Sequence, residues 1–241
     1  MTRTPVTTLQ SMSFVVPAPM TPAVPVAGGS SFPVHRIYCV GRNYAEHAVE
    51  MGHSGREPPF FFMKPADAVL PVAEGETGAM DYPALTGNLH HEIELVVAIG
   101  VGGSDIAAAD ALRHIWGHAV GLDMTRRDLQ NDMKKQGRPW CIGKAFEQSA
   151  PIGPIVPLAR TGELLHGAIT LDVNGQRRQQ GDLSDLIWSV AETIEQLSRA
   201  WHLQPGDLIF TGTPAGVGAV RRGDLMEGVI DGLGTLRVRV R

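Results

Sequence analysis

A chain of 241 residues, 43% hydrophobic and 19% charged, is long enough for one cored domain and too apolar to stay disordered. Its formal net charge of −4 gives no footprint for non-specific nucleic-acid binding, yet leaves room for a locally positive pocket that takes small anions. Two cysteines are too few for a disulfide framework, and no apolar run approaches the roughly 18–20 residues that cross a bilayer; the expectation is a cytoplasmic protein with no membrane and no nucleic-acid partner.

Residues 1–32 are rich in Pro, Ser, Thr and Val and break at Gly28-Gly29-Ser30-Ser31, which reads as an extended arm. Residues 33–241 read as one domain. Strands are expected over Arg36–Val40 and Ile93–Ile99. A helix is expected over Asp105–Trp116, capped by Ser104 and stopped by Gly117, and another over Thr125–Lys135, with Thr125 and Asp128 at capping-box spacing. Ala168–Val173 alternates and runs into Asn174-Gly175, the signature of a type I′ hairpin. Val190–Trp201 opens with Ser189 and Glu192 as a capping box and places Val190, Ile194 and Leu197 on one face. Strands over Asp207–Thr211 and Leu233–Val240 complete a mixed, β-rich fold with a few peripheral helices.

The sharpest chemical feature is Glu92-Ile93-Glu94 at the head of an apolar strand. Alternation puts both carboxylates on one face, where they repel unless a cation lies between them; a solvated strand face is the alternative. Asp123 offers a third carboxylate ahead of a helix carrying Arg127, Gln130 and Lys134 along one stripe. Three carboxylates would leave about three positions open on a six-coordinate Mg²⁺ or Mn²⁺. His47 and Glu50 stand one helical turn apart, a spacing that suits a carboxylate-oriented general base and equally an exposed polar face. Lys64 and Lys144 lie in apolar surroundings and need a partner, either an anionic substrate or an internal salt bridge. The stretch Thr211–Gly218 lacks the ending of a phosphate loop, but its amides and the Thr213 hydroxyl could bind a carboxylate. His91 could support the site, because it adjoins Glu92; His53, His90, His114, His118 and His202 read as structural or solvated.

The order of these pieces resembles the fumarylacetoacetate hydrolase family. The resemblance runs through Gly41-Arg42-Asn43-Tyr44 with His47 and Glu50, Lys64-Pro65, His91-Glu92-Ile93-Glu94-Leu95, Asp123 to Gln130, Gly143-Lys144-Ala145-Phe146, and Thr211 to Asp224. It implies a β-roll or sandwich, a homodimer, and Mg²⁺ or Mn²⁺ held by Glu92, Glu94 and Asp123. It also implies His47 and Glu50 as the water-activating pair, Lys144 (helped by Gln130) as oxyanion stabiliser, and Arg127, Gln130, Lys64 and Thr213 around a small anionic diketo acid. The narrower likeness is to hydrolases of acylpyruvates, fumarylpyruvate of gentisate-type aromatic catabolism above all, and is supported by Val34–Gly41 and Pro58–Phe62. Oxaloacetate decarboxylation, or another lyase or isomerase reaction, is the alternative within the family. A non-catalytic β-rich binding protein is disfavoured, because all the candidate catalytic residues are present.

Overall fold

The structure, a computed structural model, describes residues 14–44 and 56–241. Its centre is the strand Ile93–Ile99, in which all seven residues are buried. A strand whose sides are both covered reads as a continuous aliphatic run, and Ile-Glu-Leu-Val-Val-Ala-Ile is such a run apart from one carboxylate. Ile93, Leu95, Val97 and Ile99 pack toward one cluster, while Val96 and Ala98 pack toward a second.

This strand lies within an eight-stranded mixed sheet. The order is Phe60–Lys64, Ile37–Gly41, Leu208–Phe210, Ile93–Ile99, Ile115–Leu122, Ala150–Ile152 and Val69–Pro71, with Val156–Pro157 also pairing to Ile115–Leu122. A five-stranded sheet covers one side, in the order Gln176–Asp182, Ala168–Val173, Leu225–Ile230, Gly234–Val240 and Thr77–Met80. Ile169, Leu171, Met226, Ile230, Leu236 and Val238 of that sheet share the first cluster with the odd-numbered residues of Ile93–Ile99. On the other side, Ala23–Pro25 and Ser31–Pro33 pair antiparallel and contribute Val24 and Phe32 to the second cluster. A third, three-stranded sheet joins Thr125–Arg126, Leu89–His91 and Gly218–Val220. The result is a β-rich roll with few helices, as the sequence pattern indicated. Among the described residues no helix is long and apolar enough to cross a membrane.

Local chemistry explains where elements form. Asn174 and Gly175 both take positive φ, 52° and 75°, and turn the hairpin between Ala168–Val173 and Gln176–Asp182. The helix Val190–Ala200 begins with the expected capping box between Ser189 and Glu192, and buries Ile194 and Leu197. The helix expected over Asp105–Trp116 does not form. Only Ala108–His114 takes 3₁₀ turns, and Ile115 and Trp116 begin the strand Ile115–Leu122. The amides that a Ser104 cap would have satisfied are taken elsewhere: Asp105 N donates to Ser198 O at 3.0 Å and Ile106 N to Ser198 Oγ at 2.9 Å. The next helix starts at Arg127, two residues later than expected, because Thr125–Arg126 is paired as a strand with Leu89 and His90.

His118, in the strand Ile115–Leu122, is 1% exposed, and its Nδ1 meets Thr161 Oγ1 at 3.0 Å. Loss of hydration lowers its pKa to about 4. The unfolded chain, titrating near 6.5, therefore takes up a proton that the folded protein refuses between pH 6.5 and 4, and stability falls as pH falls through that window. Replacing His118 with Asn should reduce the loss of unfolding free energy between pH 7 and pH 5 by about 2 kcal/mol, read from urea melts at both values. An identical pH slope in the variant would refute a neutral buried imidazole.

Candidate metal centre and active site

Register builds the centre. Ile93 pairs with Leu122 in the antiparallel ladder, so the residue before one faces the residue after the other, and Asp123 N donates to Glu92 O at 2.8 Å. Alternation then places Glu94 on the same side as Glu92. Glu92, Glu94 and Asp123 are 6%, 2% and 1% exposed, and each brings a carboxylate oxygen within 4.8 Å of the other two.

Three cations surround this cluster. Lys144 Nζ donates to Glu92 Oε2 at 2.8 Å, Asp123 Oδ2 at 2.7 Å and Thr125 Oγ1 at 2.7 Å. Burial disfavours its ammonium form, but the charges of Asp123 and Glu92 outweigh that and hold its pKa above the ordinary lysine value. Lys64 Nζ lies 2.9 Å from Asp123 Oδ1 and donates to Met124 O at 3.2 Å and to Lys144 O. Arg127 pairs with Glu92 and donates to Gln130 Oε1 at 2.6 Å. Glu94 differs from the other two carboxylates. Its Oε2 accepts from Gly212 N at 2.8 Å, and among the described residues no lysine or arginine forms an ion pair with it. Burial, and then the charges of Asp123 and Glu92, push its pKa well above the usual carboxylate range. A buried carboxylate with no cationic partner, beside two others, is a donor set that fits a hard divalent cation such as Mg²⁺ or Mn²⁺.

Supporting contacts fix these groups. Gly143 lets the short helix Cys141–Lys144 dock on the helix Arg127–Lys135, since a Cβ there would stand 2.8 Å from Gln130 N. Gly212 turns with φ 102° against Asn43, whose Nδ2 donates to Thr211 O at 2.7 Å and to Trp188 O at 2.9 Å. Gln179 uses every polar group it has: Oε1 accepts from His91 Nδ1 at 2.8 Å and Ile93 N at 3.1 Å, and Nε2 donates to Thr213 Oγ1 and Pro214 O, both at 2.8 Å. A cavity of about 110 Å³ opens beside the carboxylates, walled by Glu92, Glu94, Arg127, Gln130, Lys144 and Thr213, with Arg42, Phe60, Phe62, Lys134 and Trp140 completing it.

The family model for the fumarylacetoacetate (FAA) hydrolase C-terminal region matches residues 36–241. The chain belongs to the fumarylacetoacetate hydrolase family. Among solved structures of the family, fumarylpyruvate hydrolase from Pseudomonas aeruginosa, in complex with Mn²⁺ and pyruvate, is 59% identical with a TM-score of 0.93, over 95% of this chain and 99% of that one. The mitochondrial oxaloacetate tautomerase FAHD1 of Rattus norvegicus is 43% identical over 85% of this chain and 90% of its own length. The oxaloacetate tautomerase YcgM of Escherichia coli is 39% identical over 83% of this chain and 90% of its own.

Within this family fold, Glu92, Glu94 and Asp123 converge, and Lys144, Arg127, Gln130 and Thr213 line the same cavity. Lys64, expected at the substrate, is not among the residues of the cavity wall: it is 1% exposed and forms an internal salt bridge with Asp123. The glycine-rich stretch presents an amide to a carboxylate as anticipated, but the carboxylate is the protein's own Glu94. His47, Glu50 and His53 lie outside the described residues. His90, His114, His118 and His202 are each tied to a neighbouring polar group, as structural histidines are. Sequence reasoning missed Gln179, because a Gln in the polar run Gln176–Gln180 carries no sign that it turns inward to a buried position. It also missed Arg42, Phe60 and Trp140 as pocket residues.

Removing any one carboxylate should weaken Mn²⁺ binding. Glu94→Ala and Asp123→Ala are each expected to lower affinity at least about 10-fold in isothermal calorimetry, the scale of a lost metal contact. Wild-type affinity in both variants would remove these residues from the centre.

Proposed function

We propose that the protein is a divalent-metal-dependent hydrolase that cleaves the carbon–carbon bond of an acylpyruvate, with fumarylpyruvate as substrate and fumarate and pyruvate as products. The observation that carries this reading is the buried carboxylate triad beside a small cationic pocket, in a chain 59% identical to a fumarylpyruvate hydrolase that binds Mn²⁺ and pyruvate. Glu92, Glu94 and Asp123 would hold the cation, which supplies Lewis acidity to the oxygens of a 2-keto acid when bound.

The chain's own groups do the rest. His47, with Glu50 as its partner, takes the proton from water, and the hydroxide adds to the acyl carbonyl carbon. Lys144 has three acceptors among the carboxylates and Thr125, so stabilising the oxyanion means trading one of them for the developing charge. Arg127 and Gln130, already joined to each other, present one hydrogen-bonding edge to the substrate. Thr213 Oγ1 accepts from Gln179, which leaves its hydroxyl proton to donate into the pocket. Cleavage then sends the bonding electrons to the pyruvoyl fragment, which takes up a proton as pyruvate. Homodimeric assembly, a cytoplasmic location and a place in aromatic-ring breakdown accompany this reading.

The relatives at 43% and 39% identity favour a second reading, keto–enol tautomerisation of oxaloacetate. That reaction moves a proton and consumes no water. Purified protein with Mg²⁺ or Mn²⁺ is expected to convert fumarylpyruvate to fumarate and pyruvate, identified by chromatography, and to lose turnover on chelation. His47→Ala should lower kcat by roughly two to four orders of magnitude while Mn²⁺ affinity stays unchanged. Rapid oxaloacetate tautomerisation without fumarylpyruvate cleavage would replace the hydrolase reading, and full activity after chelation would remove the metal from either.

A further inference from the structure

The wall of the same cavity holds an arginine, Arg42, one of whose donors has no acceptor among the described residues. Arg42 Nη1 is buried and, among the described residues, donates no hydrogen bond. Among the described residues the carboxylate oxygen paired with it is Glu57 Oε2, 3.8 Å from Nη2, too far for a hydrogen bond. A guanidinium stays charged at any pH the protein meets, and a buried donor without an acceptor costs stability, so such a group calls for a partner. Arg42 also takes φ 55°, a left-handed conformation that glycine or asparagine adopts with less strain. An arginine kept at such a backbone position marks a side chain with work to do.

The surroundings define what could meet it. The guanidinium lies 5.1 Å from the centre of the Phe60 ring. That ring packs so closely on Gly41 that a Cβ there would fall 2.1 Å from it, and it meets Trp140 edge-on at 5.3 Å. The cavity wall thus combines Glu92 and Glu94 of the carboxylate triad with the flat aromatic groups Phe60, Phe62 and Trp140 and with Arg42. The geometry points to Arg42 as the specificity residue that binds the distal carboxylate of the substrate, making this site selective for 2-oxo acids with an acid group at both ends. Resting on the 2-keto-acid reading above, this deepens it: the cation site takes the pyruvoyl end, the aromatic wall takes a planar apolar middle, and Arg42 takes the far carboxylate as a charge-assisted hydrogen bond.

Two ligands of equal length separate the contribution of the distal group: 2-oxoadipate, which ends in a carboxylate, and 2-oxohexanoate, which ends in a methyl. Isothermal calorimetry on Mn²⁺-loaded protein should show 2-oxoadipate binding about 10- to 100-fold tighter, the range of one hydrogen bond to a charged group. In Arg42→Met that ratio should fall to near one, and Arg42→Lys should recover part of it. Unchanged Mn²⁺ affinity and thermal midpoint in both variants establish that the fold and the centre are intact. Equal affinity for the two ligands in the wild type would overturn the assignment, as would a ratio preserved in Arg42→Met. A ratio lost in Lys134→Met but kept in Arg42→Met would overturn it too, moving the role to the other cation of the wall. Failure to cleave fumarylpyruvate, with the Arg42-dependent ratio present, would dispose of the hydrolase reading and leave the diacid selectivity standing.

Discussion

Three buried carboxylates on one small patch of sheet are the constraint to which the rest of this structure answers. Glu92, Glu94 and Asp123 would repel one another by an amount no hydrophobic core tolerates, unless positive charge were brought to them. Lys64, Lys144 and Arg127 bring it, each from a different element: the strand Phe60–Lys64, the helix Cys141–Lys144 and the helix Arg127–Lys135. Charges balance in number but not in placement, because Glu92 and Asp123 take all three and Glu94 takes none. A buried carboxylate elsewhere in the molecule shows what a purely structural one looks like. Asp207 accepts from His35, from Arg36 at two atoms and from Gln204 N, all within 3.1 Å. Among the described residues Glu94 accepts from one backbone amide. The first group closes the fold; the second belongs to a donor set that fits a divalent cation.

The three carboxylates sit at the central ladder of the fold. Glu94 belongs to the ladder between Ile93–Ile99 and Ile115–Leu122, and Glu92 and Asp123 flank its end at the Ile93–Leu122 pair. Moving any of them by a residue would flip the side chain to the other face and take the aliphatic core with it. Lys144 and Arg127 come instead from helices, and the amide that meets Glu94 comes from the loop at Gly212, while Lys64 comes from the strand Phe60–Lys64.

How much of this could be read from the chain depended on whether a local rule governed the position. Alternation alone put Glu92 and Glu94 on one face, Asn174-Gly175 fixed its hairpin, and the Ser189–Glu192 box marked its helix start to the residue. Where tertiary contacts overrode local preference, the pattern misled. The alanine-rich run before Ile115 favours helix, but Ser198 takes the amides a cap would need and the ladder with Ile93–Ile99 claims Ile115–Leu122. The two apolar-flanked lysines illustrate the same limit. Both were recognisable as needing a partner, but nothing local distinguished Lys144, on the pocket wall, from Lys64, in its internal salt bridge with Asp123. That distinction arises from which face of its own strand or helix each residue occupies, and the faces are assigned only once the sheet has closed.

Gln179 carries the last step of this reasoning. It sits on the five-stranded sheet, across from the strand that bears Glu94, and its amide ties His91 and Ile93 on one side to Thr213 and Pro214 on the other. One neutral side chain thus couples the residues flanking Glu92 to the loop whose Gly212 amide holds Glu94. A charged residue there would add a fourth unbalanced group to the patch, and an apolar one would strand the amide of Ile93 and the imidazole of His91. Only an amide has both the acceptor for one side and the donors for the other, so the geometry of the carboxylates is set from behind as firmly as from the ladder itself.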